Sequence, residues 1–198
     1  MSIPFQDSET AKNLLRAFAG ESQARNRYDF AANLCQKQEL QAMAFIFQAT
    51  AKQEQAHAKV FWDHLQALNG QNLPIYGAYP IEGTNRILEL LRAAQHNEHE
   101  EHGSVYPSFA AIATQEGFPE AAASFRQIAA IEQLHGERFG LLADQLESGA
   151  LFVSQIETGW MCLNCGHTQN SLEAPKQCPV CNHGQGWFIR LELAPWSP

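Results

Sequence analysis

The feature that most constrains this chain is a set of carboxylates lying where a helical core should be apolar. Four segments, roughly 8–36, 39–69, 84–116 and 119–147, carry apolar residues at steps of three and four, the repeat of a helix with one buried face. At about 100° per residue, the inward stripe of the first is Leu14, Ala17, Glu21, Ala24, Tyr28, Ala32 and Cys35. The second gives Met43, Phe47, Thr50, Glu54, His57, Phe61, Leu65 and Leu68. The third gives Ile87, Leu91, Ala94, Glu98, Glu101, Val105 and Ile112, and the fourth Phe125, Ile128, Glu132, His135, Phe139 and Leu146. Five Glu and two His thus sit on inward faces near the middle of their helices. One Glu at the edge of a stripe is ordinary. Five of them, flanked by apolar residues, carry a prohibitive desolvation penalty unless compensated, and a pair of metal ions is the ordinary compensation.

The spacing supports a metal site. Glu-x-x-His places an oxygen and an imidazole nitrogen on one helical face about one turn apart, and the chain has two such pairs, Glu54/His57 and Glu132/His135. Glu21 and either Glu98 or Glu101 supply the single acids that complete the ligand pattern of di-iron and di-manganese carboxylate bundles. Oxygen-rich ligation suits iron or manganese, with zinc as a possible occupant. An internal repeat underlies the pairs. Phe47, Ala51, Glu54, Gln55, His57 and Phe61 recur 78 residues later as Phe125, Ala129, Glu132, Gln133, His135 and Phe139.

Connections and charge narrow the fold. The break from Gly70 to Gly83 spans about 14 residues, at most about 46 Å when extended. That reach just matches a helix of about 30 residues, roughly 45 Å long, so the second and third helices can run parallel. One long crossover between two antiparallel pairs is the ferritin-like variant of a four-helix bundle. Thr84 is the expected N-cap of the third helix, Pro119 the first residue of the fourth, and Gly149 its stop. The net charge of −8 argues against nucleic acid or anionic lipid as partner. No apolar run is long enough to cross a membrane, and Met1 to Asn13 lacks the apolar core of a signal peptide, so a cytoplasmic location is expected.

Near residue 149 the style of the chain changes. Gly, Pro, Asn and Cys become frequent, and Trp187 to Leu193 alternates with the period of a strand. This places one domain at 1–148 and a second, small and β-rich, at 149–198. Cys162-Leu-Asn-Cys165 and Cys178-Pro-Val-Cys181 form two C-x-x-C knuckles, whose four thiolates make a closed tetrahedral site for zinc or a single iron. The fifth cysteine, Cys35, reads as a small buried hydrophobe. Tyr28 lies on the face of Glu21, and Tyr106 on the flank of the third helix. Each is either a core aromatic or a hydrogen-bond and proton donor beside the metal pair.

Motif order and spacing now carry a resemblance over essentially the whole chain. Glu21 within Gly-Glu-Ser-Gln-Ala-Arg-Asn-Arg-Tyr is followed by Glu54-x-x-His57 and by Glu98-x-x-Glu101 ahead of Tyr106-Pro-Ser-Phe109. Glu132-x-x-His135 and the two knuckles complete the order. In these motifs the chain resembles the rubrerythrins. The resemblance implies a non-haem di-iron centre in a ferritin-like bundle, fused to a rubredoxin-like domain with one iron, replaceable by zinc, on its four cysteines. It implies a peroxidase that reduces hydrogen peroxide to water in oxidative-stress protection. Electrons would come from an external donor such as a rubredoxin or its reductase. It further implies that Glu54 and Glu132 bridge the irons, that Glu21 binds one iron and Glu98 with His135 the other, and that Glu101 and His57 exchange at the first with redox state. Tyr28 and Tyr106 match the tyrosines beside the centre. A homodimer is implied, with the tetrathiolate of one subunit nearest the di-iron site of the other. Asn182 stands where rubredoxins usually have Gly, at a turn needing positive φ that Asn tolerates next best. The alternative reading is a ferroxidase or iron-storage protein. A third is a non-enzymatic binding module with zinc on the cysteines.

Overall fold

The computed structural model describes residues 3–194, so the outer limits of the two expected domains lie outside the described residues. Five helices account for the four expected segments: α1 (Glu9–Lys37), α2 (Gln41–His64), α3 (Ile87–Glu100), α4 (Tyr106–Glu116) and α5 (Pro119–Glu147). A π-helical turn, Glu101–Val105, joins α3 to α4 in one rod. The helix pairs α1·α2 and α3/α4·α5 pack as hairpins, and the stretch from Asn69 to Arg86, which contains no helix, crosses between them. This is the four-helix bundle with one long crossover that the spacing predicts.

Local chemistry sets the helix ends. Ser8 caps α1, its Oγ accepting from the Ala11 N–H at 3.1 Å. The Glu116 carboxylate, at the far end of α4, accepts from the N–H groups of Glu9 and Thr10 at 3.0 and 2.8 Å. It thereby ties the start of α1 to the second hairpin and places negative charge at a helix N-terminus. Pro119 and Gly149 act as expected, the latter with φ 70. Thr84 does not cap the third helix. Arg86 takes that position with no side-chain cap, while the Thr84 hydroxyl accepts from the Arg86 N–H at 3.2 Å and donates to Glu89.

The inward stripes hold for α1, α2 and α5, whose expected core residues are buried apart from Leu68 and Leu146, both half-buried. They fail in the third segment beyond Glu101. Val105 and Ile112 are half-buried there, and Tyr106, Ala110 and Ala113 take the core positions. The π turn explains the difference: a residue beyond the α-helical count retards the phase by about 100°, so the face after it is displaced by one position. Tyr106 therefore sits fully inside, not on the flank.

The C-terminal unit is a three-stranded antiparallel sheet in the order β2–β1–β3, from β1 (Val153–Cys162), β2 (Thr168–Glu173) and β3 (Phe188–Arg190). The strand expected over Trp187 to Leu193 is only three residues long, because Leu191–Leu193 turns into a 3₁₀ helix. The unit is packed on the bundle, with Met161, Ile189 and Ala194 joining the same core cluster as Met43, Phe47 and Leu142. The loop before β3 lies so close to the α1–α2 turn that a Cβ on Gly186 would collide with the Glu39 carbonyl.

Candidate metal centres

The two hairpins bring the four central carboxylates and both histidines into one buried pocket. Glu21, Glu54, His57 and Glu132 each offer a ligand atom within 4.8 Å of the others, and so do Glu54, Glu98, Glu132 and His135. Glu54 and Glu132 belong to both groups. His57 Nδ1 lies 2.9 Å from Glu132 Oε1, 3.1 Å from Glu54 Oε2 and 3.7 Å from Glu21 Oε2. His135 Nδ1 lies 2.8 Å from Glu132 Oε2, 3.0 Å from Glu54 Oε1 and 3.7 Å from Glu98 Oε2. The two shells are nearly equal, as the sequence repeat demands. Each shared carboxylate turns one oxygen to each side.

The tyrosines cross between the shells. Tyr28 on α1 donates to Glu98 Oε1 from α3, and Tyr106 on α4 donates to Glu21 Oε1 from α1 at 2.5 Å. Burial and the charges of Glu98 and Glu54 raise the Tyr28 phenol well above its ordinary range. Burial, Glu101 and Glu21 do the same for Tyr106. Both phenols keep their protons. Glu101 stands outside both four-residue groups, half-buried at the edge of a cavity.

The pocket's electrostatics show what it is short of. Burial drives the Glu21 and Glu101 carboxyls well above the carboxylate range, with Glu132 adding to the first and Glu98 to the second. Burial likewise raises Glu98 to about 8. For Glu54 burial is outweighed by the two imidazoles, which hold it at about 2. Burial opposes charging of the histidines too, yet the adjoining carboxylates raise His57 to about 12 and His135 to about 11. Glu21 Oε2, Glu54 Oε1, Glu98 Oε2, both Glu132 oxygens and His135 Nδ1 remain buried without an aligned hydrogen bond. Six such atoms lining one pocket are anomalous for a folded interior unless cations bind there. The donor set fits two metal ions bridged by carboxylates, that of a di-iron carboxylate centre.

The cysteine knuckles pass a stricter test. A tetrahedral site with metal–sulfur bonds of about 2.3 Å has sulfur–sulfur edges of about 3.75 Å. Cys162 and Cys181 stand 3.7 Å apart, and Cys165 and Cys178 3.6 Å. The knuckles are built alike: the Cys162 and Cys178 N–H groups each donate to a histidine carbonyl at 2.8 Å, His167 and His183 respectively. Asn182 adopts φ 62, the left-handed conformation that Gly166 takes, at φ 75, in the first knuckle. The His183 N–H holds the Cys181 thiol down at about 5, whereas burial pushes Cys162 up to about 12. Cys35 lies apart in the bundle core, its thiol raised to about 12 by burial.

The family model described as Rubrerythrin matches residues 12–143, the stretch that carries every carboxylate and imidazole of the pocket. The chain belongs to the rubrerythrin family. A second model, described as the rubredoxin-like domain of rubrerythrin, matches residues 160–189 and so spans both knuckles. The chain is 44% identical over 188 residues to a rubrerythrin of Porphyromonas gingivalis, covering 95% of this chain and 92% of that protein. It is 40% identical over 186 residues to a rubrerythrin of Nitratidesulfovibrio vulgaris, covering 94% and 96%. Among solved structures, nigerythrin in a fully reduced, all-ferrous state aligns with a TM-score of 0.62 at 25% identity, over 93% of this chain and 90% of that one.

Three features of this site were not read from the sequence pattern. Gln53 Oε1 is 3.0 Å from His135 Nε2 and accepts from it, so Nδ1, the nitrogen facing the carboxylates, is the one that would give up its proton to a metal. The repeat puts Ile131 where His57 would need an equivalent glutamine. Among the described residues no hydrogen bond reaches His57 Nε2. The second feature is the π turn, for which a signal does exist: Glu21 and Glu98 are 77 residues apart, but Tyr28 and Tyr106 are 78 apart. One residue is therefore extra between Glu98 and Tyr106. The third is a cavity of about 290 Å³ between α1 and the crossover, bordered by Glu101, Tyr106, Arg16, Arg27 and Tyr79. Apart from its link to Glu101, nothing in the periodicity announces it. No helix among the described residues is long and apolar enough to cross a membrane.

Proposed function

We propose that this chain is an oxidoreductase that reduces hydrogen peroxide, with iron in both centres and with residues 1–148 and 149–198 as the catalytic and electron-relay domains. The balance is H₂O₂ + 2 e⁻ + 2 H⁺ → 2 H₂O: two electrons enter the O–O antibonding orbital and break the bond, one proton goes to each oxygen, and each leaves as water. The observation that carries the reading is the fusion of a four-thiolate site to a buried carboxylate–imidazole pocket that a cavity meets at Glu101 and Tyr106. An iron pair bound there would supply the two electrons and polarise the bound oxygens. A storage protein has no need of a thiolate relay.

The side chains take distinct parts. Glu54 and Glu132, which belong to both ligand groups, would hold both ions, Glu21 with His57 would hold the first, and Glu98 with His135 the second. Gln53 locks His135, while the imidazole of His57 has no such anchor, which suits His57 as the ligand that Glu101 replaces. The Tyr106 phenol, protonated and at the cavity, would turn its hydroxyl from Glu21 to donate to a bound substrate. Tyr28, sealed behind Glu98, positions that carboxylate and donates less directly.

The electron path points to a second chain. The C-terminal unit packs near Met43, and Met43 and His57 are separated by about 21 Å along α2. A separation of that order between the docked unit and the pocket favours a homodimer placing one subunit's tetrathiolate beside the other's iron pair, and that is the arrangement we propose. An external redox protein such as a rubredoxin or its reductase would supply the electrons, in the cytoplasm. The test is optical. The protein is reduced without oxygen and given one equivalent of hydrogen peroxide, and the ferric–thiolate band is followed. Rapid return of the band supports peroxide reduction. A band that returns with oxygen and added ferrous ion, but not with peroxide, supports the ferroxidase reading instead.

A further inference from the structure

Resting on the peroxide-reduction reading, we propose that Gly20 and Tyr79 form a size-selecting passage to the buried centre. It admits hydrogen peroxide and turns away bulky alkyl hydroperoxides. The pocket's four central glutamates and both histidines are buried, and the cavity that Glu101 and Tyr106 border is the approach from solvent in this proposal. The outer wall of that cavity is the crossover, and it is fastened. Tyr79 Oη donates to the Arg16 carbonyl at 2.9 Å, Arg16 Nε to the Tyr76 carbonyl at 2.8 Å, and Gln23 Nε2 to the Pro80 carbonyl at 2.9 Å. Arg27 and Glu82 add an ion pair at 3.0 Å. The Tyr79 ring is thereby held in the cavity wall.

Gly20 faces that ring from the middle of α1. Glycine inside a helix weakens it, and it is ordinarily kept for a positive φ or a close approach. Gly20 has neither. A Cβ there would make only ordinary contacts, at 3.6 Å from Tyr79 Cε1 and 4.0 Å from Glu101 Oε1. Helix packing therefore does not require the glycine. What a side chain would do is stand between the Tyr79 ring and the Glu101 carboxylate, in the line of approach to the metal pair. The absent side chain and the fixed ring together define a narrow gap.

The test compares Gly20→Ala, Gly20→Leu and Tyr79→Ala in the iron-loaded protein. Two readouts are followed: the rate at which azide binds the oxidised centre, seen by charge-transfer absorption, and kcat/KM for hydrogen peroxide against cumene hydroperoxide. Gly20→Ala is expected to melt no lower than the parent while slowing azide and peroxide about threefold, and Gly20→Leu to slow both at least about tenfold. Tyr79→Ala is expected to raise the cumene-to-hydrogen-peroxide ratio at least about tenfold. The passage is overturned if both Gly20 variants keep their iron and their azide rates stay within about twofold of the parent. An unchanged ratio in Tyr79→Ala overturns it equally. If the parent protein ignores peroxide but the azide rates fall as stated, the passage stands and the reaction reading fails.

Discussion

Metal binding to the carboxylate pocket should release about four protons at pH 7. The perturbation is addition of two divalent ions to metal-free protein whose cysteine site has first been filled with one equivalent of zinc, so that thiol protons do not contribute. Without metal, His57 and His135 are raised to about 12 and 11 by the carboxylates around them and hold one proton each at pH 7. Burial holds a third on Glu21, and Glu98, raised to about 8, keeps most of a fourth. Ligation needs neutral imidazole and ionised carboxylate, so all four must leave. The physical reason is charge conservation in a low-dielectric site: two divalent ions bring four positive charges where four protons depart. Calorimetric titration in two buffers of different ionisation enthalpy gives the number directly. Release of one proton or fewer would refute the reasoning, since the six ligands would then have to be metal-ready and charged in the empty pocket.

The same shifts fix how the metal-free fold responds to pH. Groups whose folded pKa is raised stabilise below the unfolded value, about 4.5 for Glu21, Glu98 and Glu101 and 6.5 for the histidines. That stability is lost as pH climbs through the folded values, about 8 for Glu98 and 11 to 12 for the histidines. Glu54, held at about 2, works oppositely, its contribution vanishing only as pH falls through that value. Metal-free protein should melt lower at pH 9 than at pH 6, and equal melting would count against the buried-proton account. Gln53→Leu should weaken metal binding about 10- to 100-fold by freeing His135 to change tautomer, with Gln53→Glu restoring most of it; undiminished affinity in the leucine variant would remove Gln53 from the site. Cys178→Ser should abolish the thiolate band and leave the carboxylate metals bound, so loss of both together would contradict two separate centres. Gly186→Ala should destabilise by about 1–3 kcal/mol, because its Cβ meets the rigid Glu39 backbone, and an unshifted melting curve would deny the docking of the C-terminal unit.

The sequence by itself determined the helical segments, the buried faces of the first, second and fourth, and the residue types that gather in each pocket. These are local properties: a period of 3.6 places Glu54 and His57 one turn apart whatever surrounds them, and two C-x-x-C turns can close only one small tetrahedral site. The crossover followed from chain length alone, since only a long connection reaches back along the bundle. Tertiary structure decided everything that depends on exact phase or on groups far apart in the chain. The strict helical repeat placed Val105 and Ile112 in the core, and the π turn put Tyr106, Ala110 and Ala113 there instead. One extra residue is invisible to a pattern averaged over turns, although the 77- and 78-residue offsets between the copies record it. The repeat likewise made His57 and His135 look equivalent, and only packing distinguishes them. Gln53 reaches His135 across the hairpin interface, and its counterpart Ile131 has no hydrogen bond to offer His57. Hydrogen bonds join residues 82 positions apart as readily as neighbours, and periodicity reports only on neighbours.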